Sequence, residues 1–70
     1  GYVFGNADIT VCAERPKLKQ HIPAMQECLA QVMQVDAEDI SIKATTTEKL
    51  GFTGREEGIS AYATVLITRE

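Results

Sequence analysis

Ala7-Asp8-Ile9-Thr10-Val11-Cys12-Ala13 is the stretch on which the fold turns. Ile9, Val11 and Ala13 fall on one side while Asp8, Thr10 and Cys12 fall on the other, the period of two that marks a strand. Pro16 stops it, because proline has no N–H to give to a sheet ladder. Downstream, Pro23 suits the first turn of a helix, where a missing N–H costs nothing. Ile22, Met25, Leu29, Val32 and Met33 then recur at spacings of three and four, with Gln26, Glu27, Gln31 and Gln34 between them. This pattern predicts an amphipathic helix of about three turns ending between Gln34 and Asp36.

Asp36-Ala37-Glu38-Asp39 reads as a turn into a second strand, Ile40-Ser41-Ile42-Lys43-Ala44, with Ile40, Ile42 and Ala44 inward. In a third strand Ile59, Ala61, Ala63, Val65 and Ile67 alternate with Ser60, Tyr62, Thr64, Leu66 and Thr68. Tyr62 and Leu66 make the second face of that strand apolar too, which predicts cover on both sides, the outer one by another subunit. The order β-α-β-β gives an α+β fold, a small sheet with one covering helix. A single helix cannot shield such a sheet, so the expectation is half of a larger domain.

Composition agrees. The chain has 70 residues and weighs 7.7 kDa, room for one small unit and no second. It contains no internal repeat, low-complexity stretch or linker. At 44% apolar and 24% charged residues it is too apolar to be disordered. A domain this short buries only roughly 60% of its unfolded surface. The usual staples are missing: Cys12 and Cys28 allow one disulfide at most, and one histidine without a CxxC pair gives no local zinc site. Both cysteines read as small buried hydrophobes. Stability is expected from oligomerisation or from a remainder of the chain, and a start at Gly1 instead of methionine points to a piece. A net charge of −3 opposes nucleic-acid binding. No apolar run approaches the ~20 residues of a membrane span, and no signal segment opens the chain. With two unremarkable cysteines, a reducing cytosol is the default compartment.

Two loops carry more special residues than a turn needs. Ala13-Glu14-Arg15-Pro16-Lys17-Leu18-Lys19 sets three cations against one acid on a stiff proline turn, which suits a phosphate or a flat base. A solvated strand-to-helix connection would look the same. Thr45-Thr46-Thr47-Glu48-Lys49-Leu50-Gly51-Phe52-Thr53-Gly54-Arg55 offers three hydroxyls and a carboxylate for a divalent cation. Structurally, Thr45-x-x-Glu48 reads as a capping box for a one-turn helix ending at Gly51. Both readings can hold, since a hydroxyl-rimmed helix start also attracts anions. Phe52 reads as a core or interface residue and Arg55 as a surface ion pair with its acidic neighbours. His21 reads as a cap or surface residue. No nucleophile–base–acid set supports acyl transfer or peptidase chemistry.

Lys43 through Ile59, KATTTEKLGFTGREEGI, closely resembles the C-terminal signature of the 2-C-methyl-D-erythritol 2,4-cyclodiphosphate synthase family. Gly5-Asn6-Ala7-Asp8-Ile9-Thr10-Val11, then Ala13-Glu14-Arg15-Pro16-Lys17-Leu18 and His21-Ile22-Pro23, resemble the same family in the same order. The likeness runs through essentially the whole chain. It implies that residues 1–70 are the C-terminal half of a domain about twice this length. It further implies a phosphorus–oxygen lyase of non-mevalonate isoprenoid biosynthesis. The family's enzyme closes the cytidine-diphosphate derivative of methylerythritol 2-phosphate and expels CMP. Homotrimers with active sites between subunits follow from the resemblance, as does a bacterial cytoplasmic or plastid stromal location.

The same resemblance assigns roles. Thr46 would donate to the diphosphate as the catalytic hydroxyl, while Thr45 and Thr47 shape the nucleotide pocket. Glu48 would hold a magnesium or manganese ion on the diphosphate. Ala13, Glu14, Arg15, Pro16, Lys17, Leu18 and Lys19 match the cytidine-binding loop, with Lys17 toward the phosphates. Phe52 and Arg55 match positions lining a cavity on the trimer axis, suited to an isoprenoid diphosphate. The family's zinc ligands, an Asp-x-His pair and a further histidine, have no counterpart here and are expected in the N-terminal half. The piece alone is therefore expected to be inactive. The alternative is a non-catalytic trimerising module that binds a nucleotide or an isoprenoid diphosphate; the retained Glu48 and intact threonine run favour the lyase.

Overall fold

Three strands and one principal helix organise the chain, described over all 70 residues, Gly1–Glu70, in a computed structural model. β1 (Tyr2–Cys12) leads through a short 3-10 turn into α1 (Ile22–Met33), and a second 3-10 turn at Ala37–Asp39 opens β2 (Ile40–Thr45). A one-turn helix, α2 (Gly51–Gly54), precedes β3 (Ser60–Arg69). The sheet order is β2-β1-β3, with β1 parallel to β2 and antiparallel to β3. The predicted β-α-β-β order and the end of the main helix both stand. Gln34 closes α1 in the left-handed region at φ 58°, and the Val35 N–H reaches back to the Ala30 carbonyl at 3.0 Å.

β1 starts five residues before the alternation that announces it. The reason is an irregularity around Gly5: Phe4 pairs with Ile67 and Asn6 with Leu66, so one residue of β1 has no partner. That bulge inserts an extra step into the period of two and hides the first part of the strand. A Cβ at Gly5 would come within 3.0 Å of the Leu66 carbonyl oxygen, which is why the residue there is the smallest one.

The core is small. Ala30, Ile40 and Ile42 form its buried centre, and Phe4, Ile9, Ile22, Met25, Leu29, Val35 and Ala37 pack around them. The buried stripe of α1 differs from the predicted one. Val32 is 78% exposed and Met33 also lies on the surface, whereas Gln26 turns inward and its Nε2 donates to the Ile40 carbonyl at 2.5 Å. Ala30 is the small residue that lets the helix rest close to β2, and rotation about that contact carries Val32 outward. Replacing Gln26 with leucine removes a donor to a backbone carbonyl, a loss of about 1 kcal/mol. In a chain of this size, that is expected to lower the unfolding midpoint by about 4–8 °C in thermal melts. An unchanged midpoint would mean that the bond adds nothing.

α1 packs over β2, not over the middle of the sheet. Ala61, Ala63, Val65 and Ile67 share its face of the sheet through pairing with Val11, Ile9, Ala7 and Phe4, yet all four are exposed. Their expected inward burial does not occur within this chain. On the other face Tyr62 is 66% exposed and Leu66 is also open, beside an ion pair between Asp8 and Lys43. The expectation for the cysteines is corrected too: Cys12 is half-buried, Cys28 is exposed on α1, and both are free thiols. No helix is long and apolar enough to cross a membrane.

Candidate active site at the ends of the parallel strands

Parallel pairing decides where the two unusual loops meet. β1 and β2 run in register to Cys12 opposite Thr45, and the Ala13 N–H donates to the Thr45 carbonyl at 3.1 Å. Both loops therefore leave the sheet side by side at the carboxyl ends of parallel strands, the place where open α/β sheets put their ligands. A hollow of about 130 Å³ lies between them, lined by Ala13, Glu14, Lys17, Leu18, Lys19, Ala44, Thr45 and Thr46. It adjoins an open groove of about 650 Å³ walled by Arg15, Glu48, Lys49, Gly54, Arg55 and Glu56, with Glu14, Lys17 and Thr46 common to both.

Charge concentrates here. The chain is net acidic, yet Arg15, Lys17, Lys19, Lys49 and Arg55, five of its seven cations, belong to these loops. Arg15 Nε contacts Glu56 at 3.0 Å and Arg55 contacts Glu57 at 3.0 Å. Such exposed pairs add little stability, but the first ties one loop to the other. Lys17, Lys19 and Lys49 have no acidic partner and are available to an anion.

The threonine run does not cap a helix as its spacing suggests. Pairing with Cys12 holds Thr45 extended as the last residue of β2, and α2 begins six residues later behind Leu50, which makes no side-chain cap. Glu48 and Lys49 stand at φ 52° and 67°, left-handed values that no continuing helix takes. Two successive strained residues of this kind cost of order 1–3 kcal/mol each and are typical of functional loops. The loop folds back so tightly that a Cβ at Gly54 would lie 2.2 Å from the Lys49 carbonyl carbon.

Within that loop the three hydroxyls are not equivalent. Thr45 Oγ1 donates to the Thr46 carbonyl at 3.4 Å, and Thr47 Oγ1 donates to the Leu50 carbonyl at 2.5 Å. Thr46 Oγ1 only accepts, from the Glu48 N–H at 3.3 Å, so its proton remains uncommitted. Thr46 also borders both the hollow and the groove. Glu48 is exposed and forms no ion pair. No group of three or more His, Cys, Asp or Glu side chains converges anywhere in the fold.

Most of the residues singled out from sequence come together, and a few do not. Pro16, Thr47 and Phe52 line neither cavity. Pro16 lies exposed in its loop and Thr47 is half-buried under its neighbours. Phe52 is 52% exposed, with its ring edge against Gly58. His21 is a surface residue whose ring makes no cap. Two further residues, Thr53 and Gly54, brace the loop through bonds to Thr47 and Leu50. Their only sequence signal is the pair of glycines, Gly51 and Gly54, three residues apart.

Comparison with known proteins settles the lineage. The model of the YgbB family matches residues 1–68. This chain belongs to the YgbB family. Among curated relatives, the 2-C-methyl-D-erythritol 2,4-cyclodiphosphate synthase of Bacteroides fragilis is 80% identical over 69 residues, which are 99% of this chain and 43% of that protein. The chain thus spans less than half the length of the YgbB relatives it matches. Among solved structures, the bifunctional IspDF of Campylobacter jejuni superposes with a TM-score of 0.93 at 46% identity, over 96% of this chain and 18% of its own. A Plasmodium falciparum IspF–CDP complex gives 0.91 at 35% identity, over 94% of this chain and 42% of its own. The three-stranded sheet with its helix is therefore the YgbB arrangement of this segment.

Proposed function

We propose that residues 1–70 are the C-terminal half of a 2-C-methyl-D-erythritol 2,4-cyclodiphosphate synthase, carrying the nucleotide and diphosphate side of its active site. The observation that carries the reading is the Thr46 hydroxyl, the one threonine proton left free at the junction of two cation-lined hollows. The name of the Bacteroides fragilis relative and the CDP in the Plasmodium falciparum complex support the substrate class.

In this reading the 2-phosphate oxygen of the substrate attacks the β-phosphorus of the same molecule. The bond from that phosphorus to the bridging oxygen breaks, and the oxygen leaves with CMP. Such phosphoryl transfer needs positioning and charge stabilisation more than covalent help from the protein. Ala13 to Lys19 hold the cytidine against the ends of β1 and β2, with Lys17 turned to the phosphates. Thr45 and Thr47 keep the loop in shape, and Thr46 donates to the diphosphate oxygens as negative charge builds.

A lone exposed carboxylate fits a hard cation that keeps most of its waters and shares a diphosphate, so Glu48 would hold magnesium or manganese. When bound, the cation neutralises diphosphate charge and polarises the phosphorus under attack. Zinc does not fit the residues present, since no His, Cys or carboxylate cluster exists to receive it, and its ligands belong to the other half of the protein. Homotrimers with shared active sites would cover the open faces of β3. Phe52 and Arg55, both turned outward, would line an axial cavity suited to an isoprenoid diphosphate. The bacterial source of the Bacteroides fragilis relative supports the cytoplasm as the compartment, with a plastid stroma as the alternative.

Two measurements test the reading. Glu48→Gln in the full-length protein is expected to remove most of the magnesium-dependent gain in CDP affinity, about tenfold; an undiminished gain would contradict the metal role. The 70-residue chain alone is expected to release no CMP, and turnover by a preparation free of longer chains would overturn the division of labour.

A further inference from the structure

We infer that Thr53 is a positioning residue for the catalytic hydroxyl, acting through Thr47. Thr53 is the one polar side chain buried in the chain, at 4% exposure, and its Oγ1 donates to Thr47 Oγ1 at 3.1 Å. Thr47 passes its own proton to the Leu50 carbonyl at 2.5 Å, and the same carbonyl accepts the Gly54 N–H at 3.1 Å. A closed ring of bonds therefore joins α2 to the threonine run: Thr53 donates to Thr47, Thr47 donates to the Leu50 carbonyl, and Gly54, next to Thr53, donates to that same carbonyl. Its effect is to consume the Thr47 hydroxyl inside the loop.

That commitment has a functional consequence for Thr46. Without the incoming bond from Thr53, Thr47 Oγ1 keeps only its bond to the exposed Leu50 carbonyl and loses the one that fixes it to a buried side chain. Thr46 and Glu48 flank Thr47, and the Glu48 N–H bonds Thr46 Oγ1. The direction of the Thr46 proton thus depends on the register that Thr53 fixes. A buried hydroxyl serving only to fill space would be replaceable by valine, which has nearly the same shape; this one supplies a directed bond.

The inference rests on the synthase reading of the site, and the test separates the two. In the full-length protein, Thr53→Val is expected to lower kcat about tenfold with little change in KM, while Thr53→Ser, which restores the hydroxyl, returns most of kcat. A purely structural role would move the unfolding midpoint and leave kcat alone. Threonine-methyl NMR of the ligand-free protein supplies a readout independent of turnover. Thr53→Val is expected to shift and broaden Thr46 and Thr47 methyl signals while Thr10 and Thr64 on the sheet stay put, and Thr53→Ser is expected to restore them. Unmoved Thr46 and Thr47 signals, or wild-type kcat in the valine variant, would overturn the inference. Should Thr53→Val misfold, Thr53→Ser carries the test: restored methyl signals and kcat sustain it, and a tenfold loss despite the retained hydroxyl refutes it. Failure of the wild-type protein to release CMP would instead sink the synthase reading, with the methyl shifts still deciding the role of Thr53.

Discussion

Thr46→Ala in the full-length protein is expected to reduce turnover by about 10²–10³-fold with substrate affinity nearly intact. The size follows from removing one preorganised donor aimed at charge that develops during reaction. The specificity follows from the hydrogen bonds. Thr45 and Thr47 spend their protons on the Thr46 and Leu50 carbonyls, and Thr46 alone keeps one to give. Thr45→Ala is therefore expected to cost much less than Thr46→Ala. Steady-state CMP release by the two variants checks the ranking, and equal losses would mean that the run acts as a block.

Gly54→Ala has the largest expected effect on the fold of the site. The added methyl would lie 2.2 Å from the Lys49 carbonyl carbon and 2.5 Å from its Cα, distances at which backbone must move. Overpacking of this kind costs about 1–3 kcal/mol, and here the segment displaced is the one that carries Glu48 and Lys49. Turnover and the unfolding midpoint are both expected to fall. Gly51 is the control. It stands at φ 69° with open space around a Cβ, so Gly51→Ala meets a conformational penalty and no collision. A midpoint for Gly54→Ala at or above that of Gly51→Ala would remove the steric argument.

Strand and helix order was legible because each element kept its period through most of its length. Ile9 and Val11 alternate, Ile22, Met25 and Leu29 recur on one helical stripe, and Ile40 and Ile42 bracket Ser41. The first part of β1 escaped notice because the bulge at Gly5 breaks the period. Val32 was misplaced because periodicity gives the width of an apolar stripe and not the point where a small residue such as Ala30 sets the contact. Cys28 and the faces of β3 look buried by residue type, yet both are exposed in this chain.

The site was legible as two loops and not as one place. Only the parallel pairing of β1 with β2, a long-range feature, brings Lys17 beside Thr46. The capping-box pattern misled for a related reason. Thr45 and Glu48 have the right spacing, but the sheet ladder claims Thr45 first. Beyond the flanking Gly51 and Gly54, Thr53 carried no sequence signal, since a threonine six residues from another is unremarkable until the chain folds back on itself.

The central claim is that the loops 13–19 and 45–48 form one nucleotide-diphosphate site. A crystal structure of the full-length protein with cytidine diphosphate and magnesium tests it most directly. The cytosine is expected against residues 13–19, the diphosphate within hydrogen-bond reach of Thr46 Oγ1, and the cation on Glu48. Cytidine diphosphate bound elsewhere, with both loops untouched, would contradict the account.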